Sequence, residues 1–270
     1  MKCGDIILGW WGIEEWEELG GRPGGRIMGW MMLPKEGIRM KTIGLLGGMS
    51  WESTALYYRW INEMVRDRLG GLHSARIAMI SVDFQEIEEL QHQNRWDEAG
   101  EVLGKAARQV EAAGADFLVL CTNTMHKVAP QIESVIRIPM LHIADATAER
   151  IKEAGITTVG LLGTKFTMEQ DFYAGRLEEK HGLRVLVPPP EDREIVHRVI
   201  YEELVLGIVR DESRAEFLRI IDDLHARGAE GIIEGCTEIV MLVQQEHTDI
   251  PLFDTTAIHA QKAVEWALGG

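Results

Sequence analysis

Positive charge is scarce in this 270-residue chain: 28 Lys and Arg stand against 43 Asp and Glu, for a formal net charge of −15. Such a surface repels phosphate backbones and anionic lipid, so nucleic-acid and membrane partners are not expected. Long apolar runs are missing too. The longest near the start, Ile6 to Ile13, falls far short of the roughly 20 residues that span a bilayer. Glu14, Glu15, Glu17 and Glu18 stand where a signal peptide would carry its small-residue cleavage site, so a cytoplasmic location is expected. Proline is sparse, at 8 residues, and the 28 glycines follow no fixed period, which argues against disordered and collagen-like chains. Cysteine is limited to Cys3, Cys121 and Cys236 with no Cys-x-x-Cys pair; any chemistry they carry is thiol chemistry rather than a disulfide framework.

What the chain does contain is enough apolar material, 46% of residues, for two domains at the usual size of about 150 residues each. The first 39 residues differ from the rest. Trp10, Trp11, Trp16 and Trp30 lie there among Gly-Gly pairs, with no period of 2 or 3.6. Two readings stand for this N-terminal extension: sequence upstream of a natural start at Met40, or an accessory segment whose tryptophans cover an apolar patch. From Lys41 onward short β-branched runs alternate with longer helical ones, the pattern of a parallel α/β sheet. Strands are expected at 41–47, 76–82, 116–121, 138–142, 157–162, 183–187, 230–235 and 250–253. Between Glu98 and Ala113, Val102, Leu103, Ala106, Val110 and Ala113 recur at helical spacing, and Gly114 is placed to end that helix.

The chain also repeats itself. Thr42-Ile-Gly-Leu-Leu-Gly-Gly48 returns as Thr158-Val-Gly-Leu-Leu-Gly-Thr164, Gly114-Ala-Asp returns as Gly228-Ala-Glu, and Ile138-Pro139 returns as Ile250-Pro251. Three segments in one order at nearly one shift imply two pseudo-symmetric α/β lobes, each a parallel four-stranded sheet flanked by helices, with the active site in the cleft between them. Residues 40–148 with 255–270 are expected to form the first lobe and 149–254 the second, the last helix returning to the first lobe.

Cys121 and Cys236 each end an apolar strand and precede a polar turn, Cys121-Thr-Asn-Thr-Met-His and Cys236-Thr-Glu. Ligands of open parallel sheets bind at the carboxyl ends of strands, where both thiols fall. A lone cysteine there is more often a small buried hydrophobe. Two, each followed by Thr near matching points of a repeat, point instead to an opposed acid and base. A following helix N-terminus is expected to lower each thiol from its ordinary pKa of about 8.5. The turns Gly47-Gly48-Met49-Ser50 and Gly163-Thr164-Lys165 can hold a small anion with backbone N–H groups, and their glycines do not fit the Gly-x-Gly-x-x-Gly of dinucleotide sites.

At these residues the chain resembles the aspartate/glutamate racemase family, the cofactor-independent racemases with two thiols, over about residues 40 to 268. The resemblance rests on Gly-Gly-Met-Ser, Cys121-Thr-Asn-Thr-Met-His, Gly235-Cys236-Thr-Glu and the strand-helix order. It implies that Cys121 and Cys236 are the catalytic pair, one deprotonating the α-carbon while the other protonates it, on L- and D-aspartate or glutamate. It further implies substrate contacts from Met49, Ser50, Gln85, Thr122, Asn123, Thr124, Thr164, Thr167 and Thr237. A basic residue that clamps a side-chain carboxylate in one branch is replaced here by Gln85, Glu86 and Glu88, which leaves Lys165 or Arg193 to supply the positive charge.

No cofactor and no metal are expected: His126 and His259 join no spaced ligand set and read as packing or capping residues, and no lysine is placed beside the paired thiols for a Schiff base. Ser50 has no nucleophile elbow around it. The expected partner is a small amino-acid substrate, and a homodimer is compatible with the chain. Two alternatives share the fold: a dicarboxylate isomerase or decarboxylase using one thiol, and a non-catalytic binder of acidic metabolites. Closure of the lobes is expected about 143–156 and 253–257.

Overall fold

The computed structural model describes residues 40–269; the expectations for residues 1–39, Cys3 among them, lie outside the described residues. In chain order the elements are β1 (Ile43–Gly47), α1 (Trp51–Leu69), β2 (Ile77–Ser81), α2 (Phe84–His92), α3 (Trp96–Ala112), β3 (Phe117–Leu120), α4 (Ala129–Glu133), β4 (Met140–Leu141) and α5 (Ile143–Glu153). The same succession, with one more helix after its first strand, then returns as β5 (Thr158–Gly163), α6 (Lys165–Glu169), α7 (Asp171–His181), β6 (Arg184–Leu186), α8 (Pro190–Glu202), α9 (Asp211–Ala226), β7 (Gly231–Gly235), α10 (Ile239–Leu242), β8 (Leu252–Asp254) and α11 (Thr255–Leu268). All eight expected strands form, each end within two residues of the expected one. They make two parallel four-stranded sheets, ordered β2-β1-β3-β4 and β6-β5-β7-β8. The repeat read in the sequence is therefore a repeat of topology.

The central strands are apolar on both faces because helices cover both. Leu46, Leu118 and Leu120 pack against α2 and α3 through Ile87, Leu90, Leu103 and Val110, while Ile43, Leu45 and Val119 face Tyr57 and Ile61 of α1. Helix α3 begins two residues before the expected start because Trp96 is also buried. It ends at Gly114, whose φ of +90° is the left-handed turn that a glycine reaches without penalty. Gly44 decides how closely α3 lies on the sheet: a Cβ there would stand 2.5 Å from Val110 Cγ1 and 2.8 Å from the Phe117 carbonyl oxygen.

The helix that follows each fourth strand crosses to the other sheet. Helix α11 follows β8 but buries Ala260, Ala263, Val264 and Ala267 against β1 and β3 of the first sheet. Helix α5 follows β4 but buries Ile143, Ala144, Ala148 and Ile151 against Val159, Leu161 and Ile233 of the second. The boundary expected between residues 148 and 149 thus falls inside α5, and the whole helix packs with the second sheet. An ion pair at 2.6 Å between Lys262 Nζ and Glu149 Oε2 ties the two crossing helices together.

Candidate active site

The carboxyl ends of both sheets open on one shared cavity. At the end of β1, Gly48 adopts φ +97° with Val82 so close that a Cβ would lie 2.2 Å from its carbonyl oxygen. That turn delivers Met49 and Ser50 to the cavity. Ser50 caps α1, its Oγ accepting from the Ser53 N–H at 3.3 Å, and the same hydroxyl donates across the cleft to Glu238 Oε1 at 3.1 Å. After β3 come Thr122, Asn123 and Thr124, and after β7 come Cys236, Thr237 and Glu238, all lining the cavity. Phe84 and Gln91 of α2, Ile200 and Tyr201 of α8 and Val205 in the 3-10 turn Leu204–Leu206 complete its walls together with Thr164 and Gly235.

Buried hydrogen bonds hold the first-lobe loop. The Thr122 carbonyl accepts from His126 Nδ1 at 2.7 Å, and His126 Nε2 accepts from the Ile143 N–H at 3.2 Å. This tautomer is neutral, and burial holds the imidazole well below its usual pKa. His259 is fixed in the same manner, Nε2 donating to the Leu141 carbonyl at 2.9 Å and Nδ1 accepting from Tyr57 at 2.8 Å; burial lowers its pKa to about 4. Asn123 Nδ2 donates at 3.0 Å to Thr255 Oγ1, which donates onward to the Glu234 carbonyl at 2.9 Å. Asn123 Oδ1 is left buried with no protein partner. An acceptor in that position suits an ammonium group. The hydroxyls of Thr124, Thr164 and Thr167 lie 3.2 to 3.5 Å apart, joining the lobes at the floor.

Strand register decides which residue of the first lobe corresponds to Cys236. In the first sheet Leu46 of β1 is level with Leu120, and in the second Leu162 of β5 is level with Glu234. Leu46 and Leu162 are equivalent in the repeat, so Leu120 matches Glu234, Cys121 matches Gly235, and Thr122 matches Cys236. Cys121 points instead into the apolar core: it is fully buried with Ile43, Val119, Ala260 and Val264, its Sγ 3.8 Å from the Val119 carbonyl. It is not among the residues that line the cavity, whereas Thr122 and Cys236 are.

The thiols also depart from the expected acidity. Burial pushes Cys121 up, and burial together with the Glu238 carboxylate pushes Cys236 well above the usual thiol range, while the Thr237 and Glu238 N–H groups pull Cys236 the other way. No long helix starts behind either sulfur. A 3-10 turn, Thr124–Val128, follows Cys121, and α10 has four residues. Cys236 accordingly rests protonated, its Sγ donating to Glu238 Oε2 at 2.9 Å.

Of the other expected contacts, Met49, Ser50, Thr122, Asn123, Thr124, Thr164 and Thr237 line the cavity, and Thr167 lies just behind, bonded to Thr164. Gln85 is exposed and donates to Glu89 at 2.9 Å. Lys165 is paired with Glu194, and Arg193 lies 3.6 Å from Glu169, so neither enters the cavity. Sequence reasoning missed Glu238, although it follows Cys236 by two residues, and missed the wall from α2 and α8. Among the described residues no group of three His, Cys, Asp or Glu is gathered to hold a metal ion, and no helix is long and apolar enough to cross a membrane.

Two α/β lobes enclose a thiol and a row of hydroxyls at paired sheet ends, and comparison with known proteins says which class of isomerase carries this arrangement. The Asp/Glu/Hydantoin racemase family model matches residues 46–263, and the chain belongs to that family. It is 57% identical to a candidate Asp/Glu racemase from Yersinia pestis, with a TM-score of 0.81 over 85% of this chain and all of that one. An aspartate racemase homologue from Pyrococcus horikoshii is 36% identical, with a TM-score of 0.75 over 84% of this chain and 99% of that one. The broad specificity amino-acid racemase RacX of Bacillus subtilis is 22% identical over 82% of this chain and 96% of its own length. By family and fold the protein is an isomerase of the amino-acid racemase class.

Proposed function

We propose that the protein interconverts the L and D forms of an amino acid without pyridoxal phosphate, moving the α-proton between Cys236 on one face of the α-carbon and Thr122 on the other. The observation that carries this reading is the equivalence of Thr122 and Cys236 in the two sheets, with both residues lining one cavity. When Cys236 acts as base, Glu238 takes the thiol proton and the thiolate takes the α-proton; the carbanion then receives a proton on the far face from the Thr122 hydroxyl or from water held by it. Water then returns a proton to the Thr122 oxygen as Glu238 gives up the one it holds; in the reverse sense the Thr122 oxygen, its own proton passed to water, takes the α-proton while Cys236, already protonated, donates and is reprotonated from solvent. Asn123 Oδ1 receives the substrate ammonium, and no lysine lines the cavity where a Schiff base would need one. The two-thiol form of the reaction assigns the second base to Cys121, whose burial speaks against it. A hydroxyl is the weaker base, so one enantiomer is expected to exchange its α-proton faster than the other. Closing of the lobes about the starts of α5 and α11 excludes water during transfer, and saturating substrate then slows alkylation of Cys236.

Proton NMR of amino acids in D₂O, followed by chiral analysis, tests this directly. Loss of the α-proton signal and appearance of the opposite enantiomer are expected for the native chain, abolished in Cys236→Ala and largely kept in Cys121→Ala. Thr122→Cys should quicken the slower enantiomer by about tenfold or more, since a thiol is the better acid and base near neutrality. Full turnover in Cys236→Ala, or its loss in a folded Cys121→Ala, overturns the assignment. A single resting S–H also suits proton delivery after decarboxylation; release of carbon dioxide from an α-substituted malonate, without α-proton exchange on amino acids, would favour that second reading.

A further inference from the structure

We infer that His126 is a positioning residue: it sets where the Thr122 hydroxyl stands in the cavity, and so serves proton transfer on the Thr122 face of the substrate alone. The inference rests on the racemase reading and adds a residue to it. Both peptide groups of Thr122 are fixed. Its N–H donates to the Leu120 carbonyl at 2.9 Å, and its carbonyl accepts from His126 Nδ1 at 2.7 Å. With the backbone held and a β-branched side chain restricted at χ1, the place of the hydroxyl follows from the place of that carbonyl.

The histidine is itself locked. Its Nε2 accepts at 3.2 Å from the N–H of Ile143, the first residue of the crossing helix α5. A carbonyl can only accept and a peptide N–H can only donate, so the two partners fix the ring's orientation and its tautomer. The buried ring packs against two more imidazoles, one from each crossing helix. His142, which caps α5 by accepting the Ala144 N–H, lies at 4.4 Å, and His259 of α11 at 6.0 Å. The second lobe is built otherwise. The offset of 114 that relates Thr122 to Cys236 takes His126 to Val240, whose side chain cannot hydrogen-bond. There the Cys236 carbonyl accepts from the Ile239 N–H at 3.1 Å. A side chain thus holds the loop of one proposed base, and the backbone of α10 holds the other.

Two variants of the full chain each keep one of the bonds. In His126→Asn the amide nitrogen takes the place of Nδ1 and still serves the Thr122 carbonyl; in His126→Gln the longer side chain brings its oxygen to the Ile143 N–H instead. Each leaves one buried backbone group without its partner, so the structural damage is comparable. In D₂O, exchange of the α-proton with retention needs only Cys236, whereas inversion needs Thr122 as well. Proton NMR with chiral analysis, on both enantiomers of aspartate, glutamate, methionine and lysine, measures the two rates. His126→Gln is expected to slow inversion by about tenfold or more, the usual effect of a displaced reacting group, while the enantiomer facing Cys236 keeps its exchange with retention. His126→Asn is expected to keep both rates. Unchanged inversion in His126→Gln, inversion and exchange falling together there, or inversion lost in His126→Asn overturns the inference and leaves the racemase reading standing. Should His126→Gln not fold, His126→Asn still decides, by the inversion it keeps or loses. Silence of the native chain on all eight substrates overturns the racemase reading and the inference with it.

Discussion

Ser50 and Glu238, 188 residues apart in sequence, are joined by a 3.1 Å hydrogen bond across the cleft, and the other oxygen of Glu238 accepts from the Cys236 thiol at 2.9 Å. The N-cap of one lobe's first helix is thereby linked to the cavity-lining thiol of the other. A cleft that opens must break the first bond and leave Glu238 with the thiol alone.

Replacing Glu238 by Gln removes the group that receives the thiol proton in the proposed reaction and one of the causes that hold the Cys236 pKa up. The thiol pKa should fall, so that iodoacetamide alkylation at neutral pH becomes faster, while turnover drops by about 10²-fold or more, the usual contribution of a general acid–base partner. Alkylation and exchange measured across pH 6 to 10 check both signs. A faster thiol with unchanged turnover would make Glu238 a bystander.

The two described cysteines should separate cleanly under alkylation. Cys236 is partly accessible and lines the cavity, whereas Cys121 is fully buried. Peptide mass spectrometry of the native protein is expected to find Cys236 modified and Cys121 untouched until denaturant is added. Cys121→Ala should cost about 1 kcal/mol through the small cavity it leaves, visible in urea unfolding. Equal labelling of both thiols would place Cys121 at the surface and refute the register argument.

Asp145 at the start of α5 is gripped by Arg176, through both carboxylate oxygens at 2.7 Å, and by Lys180 and His181 of α7. Burial alone would raise its pKa, but hydrogen bonds from Arg176, His181 and Lys180 hold it well below the usual carboxylate range. A depressed folded-state pKa adds stability above the unfolded value of about 4, and that stability is lost as the pH falls toward the folded value. Asp145→Asn should therefore cost about 2 to 3 kcal/mol at pH 7, and the gap to the native chain should narrow below about pH 4. Urea titrations at pH 7 and pH 3 check it; a gap that widens with acid has the wrong sign.

Gly44→Ala places a methyl 2.5 Å from Val110 Cγ1 and 2.8 Å from a backbone oxygen that cannot move aside cheaply. Forcing α3 off the sheet should cost about 1 to 3 kcal/mol. A lower thermal midpoint with unchanged substrate preference is expected, since Gly44 lies at the far end of β1 from the cavity. An unchanged midpoint would show that the helix yields freely.

Much of the architecture was legible in the sequence because its signals are local. Each strand is a short apolar run closed by a turn residue, and Gly114 and Gly228 mark equivalent helix ends, with φ of +90° and +104°. Cys236 was legible for the same reason, as a thiol at a strand end before Thr-Glu. The choice of a partner for Cys236 shows where local reading stops. The repeat's glycines are 114 residues apart, as are Thr122 and Cys236, whereas Cys121 and Cys236 are 115 apart. Chemical type favoured the cysteine, and a slip of one residue along a strand moves a side chain from cavity to core.

By itself, the sequence determined the doubled parallel α/β plan and the loops that carry chemistry, since hydrophobic period and turn residues act over a few neighbours. Tertiary structure decided what those loops meet. The crossing of α5 and α11 between sheets, the meeting of Thr122 and Cys236 at one cavity, the bridge from Ser50 to Glu238 and the wall of Phe84, Gln91, Ile200, Tyr201 and Val205 all join residues far apart in the chain. Such relations are set by strand register and by which buried faces fit together, and no local pattern of residue types records them.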